Sequence, residues 1–148
     1  MKNKKYLTVS LIALLIVIFD QITKLLIIKN FRLNQSIPII NKIFHLTYVQ
    51  NTGAGFGILK GFNLLLILAS IIVISIIIYY IKNVKENEIL LQTLIGFVLG
   101  GAIGNLIDRI RLSYVVDFLD FQIWPVFNIA DSFITIGIIG LVIYFWKK

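Results

Sequence analysis

Hydrophobic residues fall in four long blocks: Tyr6 to Ile28, Phe62 to Ile81, Ile89 to Leu112 (with a polar end) and Phe127 to Trp146. A helix needs about 20 mostly apolar residues to cross a bilayer, so the pattern predicts four membrane-spanning helices. Two longer polar breaks separate them. The first, Asn30 to Gly61, holds a run of β-branched and aromatic residues, Phe44-His-Leu-Thr-Tyr-Val49. It is followed by the glycine-rich Asn51-Thr-Gly-Ala-Gly-Phe-Gly57. That sequence predicts a small sheet closed by a turn. The second break, Ser113 to Val126, carries Asp117 and Asp120.

Composition supports an integral membrane protein. The chain is 59% hydrophobic, against about 45–50% for a soluble domain, and its mean hydropathy is +0.95. With 148 residues, residues 1–148 are expected to form one unit. The first block follows a basic Met1-Lys-Asn-Lys-Lys, as a secretory signal would. It is long for a signal and no A-x-A site follows it, so it reads as a retained helix.

The net charge of +7 raises the question of nucleic acid, but the lysines flank apolar blocks, and no nucleic-acid partner is expected. Lys2, Lys4 and Lys5 precede span one, Lys82 and Lys85 lie between spans two and three, and Lys147 and Lys148 close the chain. Four spans bring all three clusters to one side, which the positive-inside rule makes cytoplasmic, with both termini. Lys29, Arg32 and Lys42 fall on the opposite side, so the asymmetry is clearest in the shortest segments. The absence of cysteine excludes disulfides, thiol catalysis and Cys-ligated metals. A Ser-His triad or zinc site would have to rest on the single histidine, His45. No metal or cofactor is implied.

The polar residues inside the spans are not scattered. Asp20 and Lys24 lie four apart in the outer half of span one. Asn105, Asp108 and Arg109 share a face at the outer end of span three. Asn128, Asp131, Ser132 and Thr135 form a stripe at the start of span four. Three helices thus bring polar faces to one depth, within reach of Asp117 and the Asn51 turn. Ionisable groups at such a depth suggest function. Structural readings stand beside that one. Asp20–Lys24 and Asp108–Arg109 are candidates for buried ion pairs. Asn51 and Asn128 are candidates for turn and helix caps, and Gly96, Gly100 and Gly104 for close helix packing. His45 reads as a sheet residue. Tyr6, Trp124, Tyr144 and Trp146 read as interface anchors.

Asp117 and Asp131 have no basic residue within one helical turn of them in sequence. Two carboxylates brought close at a low-dielectric boundary share a proton. That is the arrangement in which one carboxylate activates water while its protonated partner polarises a carbonyl. A small proton-coupled carrier is the main competing class. It would need polar groups at several depths, whereas the inner halves of the spans are nearly bare. A non-catalytic binding protein is a third class.

These residues resemble lipoprotein signal peptidase, the bacterial signal peptidase II family. The matching blocks are Phe19-Asp-Gln-Ile-Thr-Lys24, Asn51-Thr-Gly-Ala-Gly-Phe-Gly57, Gly100-Gly-Ala-Ile-Gly-Asn-Leu-Ile-Asp-Arg109, Val115-Val-Asp-Phe118 and Phe127-Asn-Ile-Ala-Asp-Ser132. Each is weak alone, but together they run in the family's order from end to end of the chain. The resemblance implies an all-α membrane protein with four transmembrane helices, a small extracytoplasmic β-cradle and a short extracytoplasmic helix between spans three and four. It implies an aspartic endopeptidase of the bacterial cytoplasmic membrane, with its active site on the extracytoplasmic side. Such an enzyme removes the signal peptide from prolipoproteins, cutting just before a diacylglyceryl-modified cysteine. Its catalytic pair maps onto Asp117 and Asp131. The residues that bind substrate or shape the pocket map onto Asp20, Lys24, Asn51, Gly53, Asn105, Asp108, Arg109 and Asn128. The expected partners are the lipid-modified prolipoprotein and membrane lipid, and the expected state is a monomer. Gly55 stands where many relatives have alanine. Only 13 residues separate Asp117 from Asp131, a short connection for the expected helix.

Overall fold

The computed structural model describes residues 3–54 and 58–147. Lys2, Lys148 and the Gly55 position therefore lie outside the described residues. Four helices long and apolar enough to cross a membrane dominate: α1 (Lys4–Asn30), α2 (Asn63–Tyr80), α3 (Ile89–Leu112) and α4 (Ile129–Trp146). Strands β1 (Ser36–Ile40), β2 (Phe44–Asn51) and β3 (Val115–Asp120) form an antiparallel sheet in the order β1-β2-β3.

The packing centres on α3. In its most apolar window 56% of residues are buried, against 28% in α1 and 11% in each of α2 and α4. Glycine lets its neighbours approach closely. A Cβ on Gly100 would lie 2.8 Å from the Ala13 carbonyl oxygen of α1, and one on Gly104 would lie 2.7 Å from Asp20 Oδ2. The expected glycine stripe is thus the α1–α3 seam. Gly101, outside that stripe, admits α4: a Cβ there would lie 2.5 Å from the Ala130 carbonyl oxygen.

The two ends differ. At one end Lys5 donates its backbone N–H to Glu86 (2.9 Å), and its ammonium to the carbonyls of Lys82 and Val84 (both 2.7 Å). Tyr144 of α4 donates to Glu88 there (3.0 Å). This brings together the start of α1, the α2–α3 connection and the end of α4, the segments that carry the short lysine clusters. A core of Val9, Ala13, Ile81, Val84, Leu91, Ile95 and Leu99 fills this half. At the other end Ile27, Tyr48, Val116 and Phe118 pack beneath the sheet.

The connection from α3 to α4 departs from expectation. No short helix forms between them; the chain makes β3 and then folds back. Ser113 ends α3 in the left-handed conformation (φ 67°), its N–H still bonded to the Arg109 carbonyl (3.1 Å). Past β3, Asp120 accepts the Gln122 N–H (2.9 Å) in a tight turn. Pro125 then removes an amide donor and holds Trp124 out of the helical region. Phe127 returns to bridge Leu119. The short connection is used as strand, and the fold is not purely helical around its site.

Candidate active site

The expected polar residues do meet, between the sheet and the adjacent ends of α1, α3 and α4. A cavity of about 820 Å³ opens there, lined in part by Asn51, Asn105, Arg109, Asp117 and Asp131. Trp124, expected as an interface anchor, lines it too. His45 sits in β2 against Ser36 Oγ (3.0 Å).

Asp117 reaches the site because β3 pairs with β2 and sets it opposite Val49. It is almost fully buried. Its Oδ1 accepts from Asn128 Nδ2 (2.7 Å) and its Oδ2 from Asn51 Nδ2 (3.0 Å). Burial pushes its carboxyl up to about 7, and nearby Asp131 adds to the rise; the Asn51 and Asn128 bonds and the Lys24 charge oppose it. Asp131 is the third residue of α4, and local sequence alone puts it there. Asn128 caps the helix by accepting the Asp131 N–H (2.9 Å), and Asp131 Oδ2 accepts the Asn128 N–H (3.4 Å), a reciprocal capping box. Asp131 Oδ1 accepts from Asn105 Nδ2 (2.8 Å). Among the described residues, neither aspartate forms an ion pair.

Beside this pair lies a second, charged cluster. Lys24, buried on α1, bridges Asp20 (2.8 Å) and Asp108 (3.0 Å) and also donates to Asn105 Oδ1 (3.0 Å). The carboxylates have further donors: the Ala130 N–H reaches Asp20 (2.9 Å) and the Val116 N–H reaches Asp108 (3.0 Å). The cluster therefore pins α4 and β3 to α1 and α3. The Asp20–Lys24 pair is as expected. The Asp108–Arg109 pair does not form, because adjacent helical residues point in different directions. Asp108 turns to Lys24, while Arg109 donates to the Gly53 carbonyl (3.3 Å). Gly53 in turn donates its N–H to Asn51 Oδ1 (2.9 Å).

Sequence reasoning passed over Gln21. Its amide nitrogen contacts Asp20 (3.2 Å), Asp108 (2.9 Å) and the Gly104 carbonyl (3.2 Å). Its place three residues before Lys24, on the same helix face, was the available signal. Asp120, the other acid of the connection, is held by Thr47 Oγ1 (2.6 Å) and the Gln122 N–H.

The family profile described as Signal peptidase (SPase) II matches residues 12–147. A lipoprotein signal peptidase of Halothermothrix orenii is 50% identical over 141 residues, covering 95% of this chain and 96% of that one. One from Bacillus subtilis is 47% identical over 137 residues, covering 90% and 89%. Among solved structures, a bacterial membrane enzyme determined by the in meso method at 2.3 Å resolution superposes with a TM-score of 0.89 at 39% identity, covering 95% of this chain and 88% of that one. With the match running through all four helices and the sheet, the chain belongs to the signal peptidase II family.

Proposed function

We propose that this peptidase is aspartic, and that it cuts diacylglyceryl-modified prolipoproteins just before the modified cysteine. The observation that carries this reading is the pair Asp117 and Asp131: two carboxylates beside one cavity, each hydrogen-bonded by asparagine and, among the described residues, neither in a contact ion pair. One aspartate takes a proton from water, and the water oxygen adds to the scissile carbonyl carbon. The other aspartate donates its proton to the carbonyl oxygen. The tetrahedral intermediate then collapses as the dyad protonates the departing amine. The pair titrates as a unit, so the resting proton belongs to both.

A membrane setting explains the site's depth. A lipid-anchored cysteine holds its scissile bond near the bilayer surface, so the aspartates must lie at that level. In this reading the sheet end faces the extracytoplasmic side of the bacterial cytoplasmic membrane and the lysine-rich end faces the cytoplasm. A carrier is disfavoured because the interior between the site and the lysine-rich end is filled by Val9, Ala13, Ile95 and Leu99.

The test incubates the purified protein with matched precursors, with and without diacylglycerol, at equal concentration in one detergent, and reads products by mass. The expected product begins at the lipid-modified cysteine. The unmodified precursor should be cut slowly, since each buried CH₂ of the acyl chains contributes about 0.8 kcal/mol of anchoring. Cleavage elsewhere, or no cleavage, would overturn the reading; equal rates would remove the lipid requirement. Orientation is tested separately in intact cells. An impermeant thiol reagent should label Gln35→Cys and not Asn83→Cys, and the reverse result would invert the topology.

A further inference from the structure

We propose that Lys24 is a positioning residue for the reaction, acting through Asn105, as well as a partner in the buried ion pairs. The inference rests on the dyad assignment of the preceding subsection. A carboxamide has one acceptor end and one donor end, and its rotation by half a turn exchanges them. In each of the three asparagines around the dyad, a separate donor occupies the oxygen. The Gly53 N–H holds Asn51 Oδ1, the Asp131 N–H holds Asn128 Oδ1, and Lys24 Nζ holds Asn105 Oδ1. Every amide nitrogen is thereby turned toward an aspartate: Asn51 and Asn128 toward Asp117, Asn105 toward Asp131.

The first two orientations are set by backbone, and the third by an ammonium on another helix. Asn128 Nδ2 also reaches Asn105 Oδ1 (3.2 Å), which closes a ring through Asn128, Asn105 and Asp131. Lys24 adds a charged donor to that ring from outside, at Asn105 Oδ1, without touching either dyad carboxylate. A direct ion pair would hold its partner ionised and stop it from accepting and returning a proton. One side chain removed, the same charge aligns a donor and leaves the carboxylate free to titrate. The cage also offers the dyad only N–H donors at these positions, so a dyad proton finds no acceptor there. It points between the aspartates or into the cavity, toward water and the scissile carbonyl. The other charged groups of the surroundings are Asp20 on α1, and Asp108 and Arg109 on α3.

The experiment is a double-mutant cycle on the full chain with the lipid-modified precursor, reading kcat, KM and thermal stability for each variant. Asn105→Leu keeps the volume and removes the donor. It should lower kcat on the order of 100-fold, as a misplaced catalytic group does, with KM little changed. Lys24→Met should lower kcat on the order of 10-fold in the native background, since Asn128 still holds Asn105, and should add nothing in the Asn105→Leu background. Losses that multiply, or an Asn105→Leu enzyme with native kcat, would overturn the positioning role. If Lys24→Met does not fold, Asn105→Asp tests the donor through which Lys24 is proposed to act. Lys24 then pairs with the introduced carboxylate and stability is retained, but Asp131 loses its donor; native kcat would again overturn the proposal. A native chain that fails to cut would sink the proposed function and this role with it, whereas a native chain that cuts while its variants multiply would sink this role alone.

Discussion

Asp20 and Asp108 share a lysine; Asp117 and Asp131 share asparagines. Both pairs are carboxylates in the same polar layer, joined through Asn105, which accepts from Lys24 and donates to Asp131. In the first pair one ammonium, Lys24, contacts both carboxylates at 2.8 and 3.0 Å, and backbone N–H groups and the Gln21 amide fill other positions. In the second, the donors are neutral and the two carboxylates oppose each other's ionisation, which helps lift Asp117 to about 7. On the proposed reading, the difference separates a structural charge from a reactive one. A cation in contact favours the ionised form of a buried carboxylate, while amide donors without a contacting cation orient it and leave it able to exchange a proton.

The largest effect should come from removing a carboxylate of the proposed dyad. Asp117→Asn and Asp131→Asn should each lower kcat by at least about 10³-fold, the scale of a lost acid–base group, and still yield folded protein. Near-native turnover in either would break the comparison, because the pair would then not be the reactive one. Next in size, the ion-paired cluster should respond through stability. Asp108→Ala takes one of the two carboxylates from Lys24, leaving it Asp20, and leaves the Val116 N–H without its acceptor; the loss should approach the lower end of the about 3–5 kcal/mol typical of a broken buried pair. Thermal unfolding should show a large fall in Tm alongside lost activity; a variant with native Tm and no activity would place Asp108 on the reactive side.

A third prediction separates the pairs by pH. The folded-state value of Asp117 lies above its ordinary 3.8, so between that value and about 7 the folded protein holds a proton that the unfolded chain releases. Its contribution to stability is full below about 3.8, and declines as pH rises through 7, by at most about 4 kcal/mol. Asp117→Asn removes this titration. The Tm of the variant minus that of the native protein should therefore become more positive from pH 5 to pH 8, and a flat difference would contradict the raised value. The smallest effect is expected at Asp120, which has Thr47 and the Gln122 N–H as partners. Asp120→Asn should retain kcat within about threefold, as a substitution away from the reacting groups does. A loss equal to that of Asp117→Asn would move the dyad.

Much of this arrangement was legible in the chain. Long apolar blocks mark helices because a bilayer demands that length, and the ends found differ from those read by no more than two residues. The i, i+4 spacing of Asp20 and Lys24 announces a shared face, and Asn128 three residues before Asp131 announces a capping box. These are local relations, set by helical geometry over one turn. Three relations were not local and were misread or unseen. Asp108 and Arg109 look like a pair in sequence, but only the neighbouring helix decides which of them meets Lys24. Gln21 reads as an ordinary polar residue until α3 is packed against it. The Ser113 to Val126 segment is compatible with a short helix until β2 offers a free edge, and Pro125 and Asp120 then favour the fold-back.

What the sequence determined alone was a membrane protein of four helices with its acids gathered at one depth, since span length, helical period and capping depend on neighbours a few residues away. What tertiary structure decided was which carboxylates meet a lysine and which meet only asparagines and backbone N–H groups. That depends on whether a lysine or an asparagine from a distant segment lies at hydrogen-bond distance, and burial makes that one contact outweigh the identical intrinsic acidity of all the aspartates.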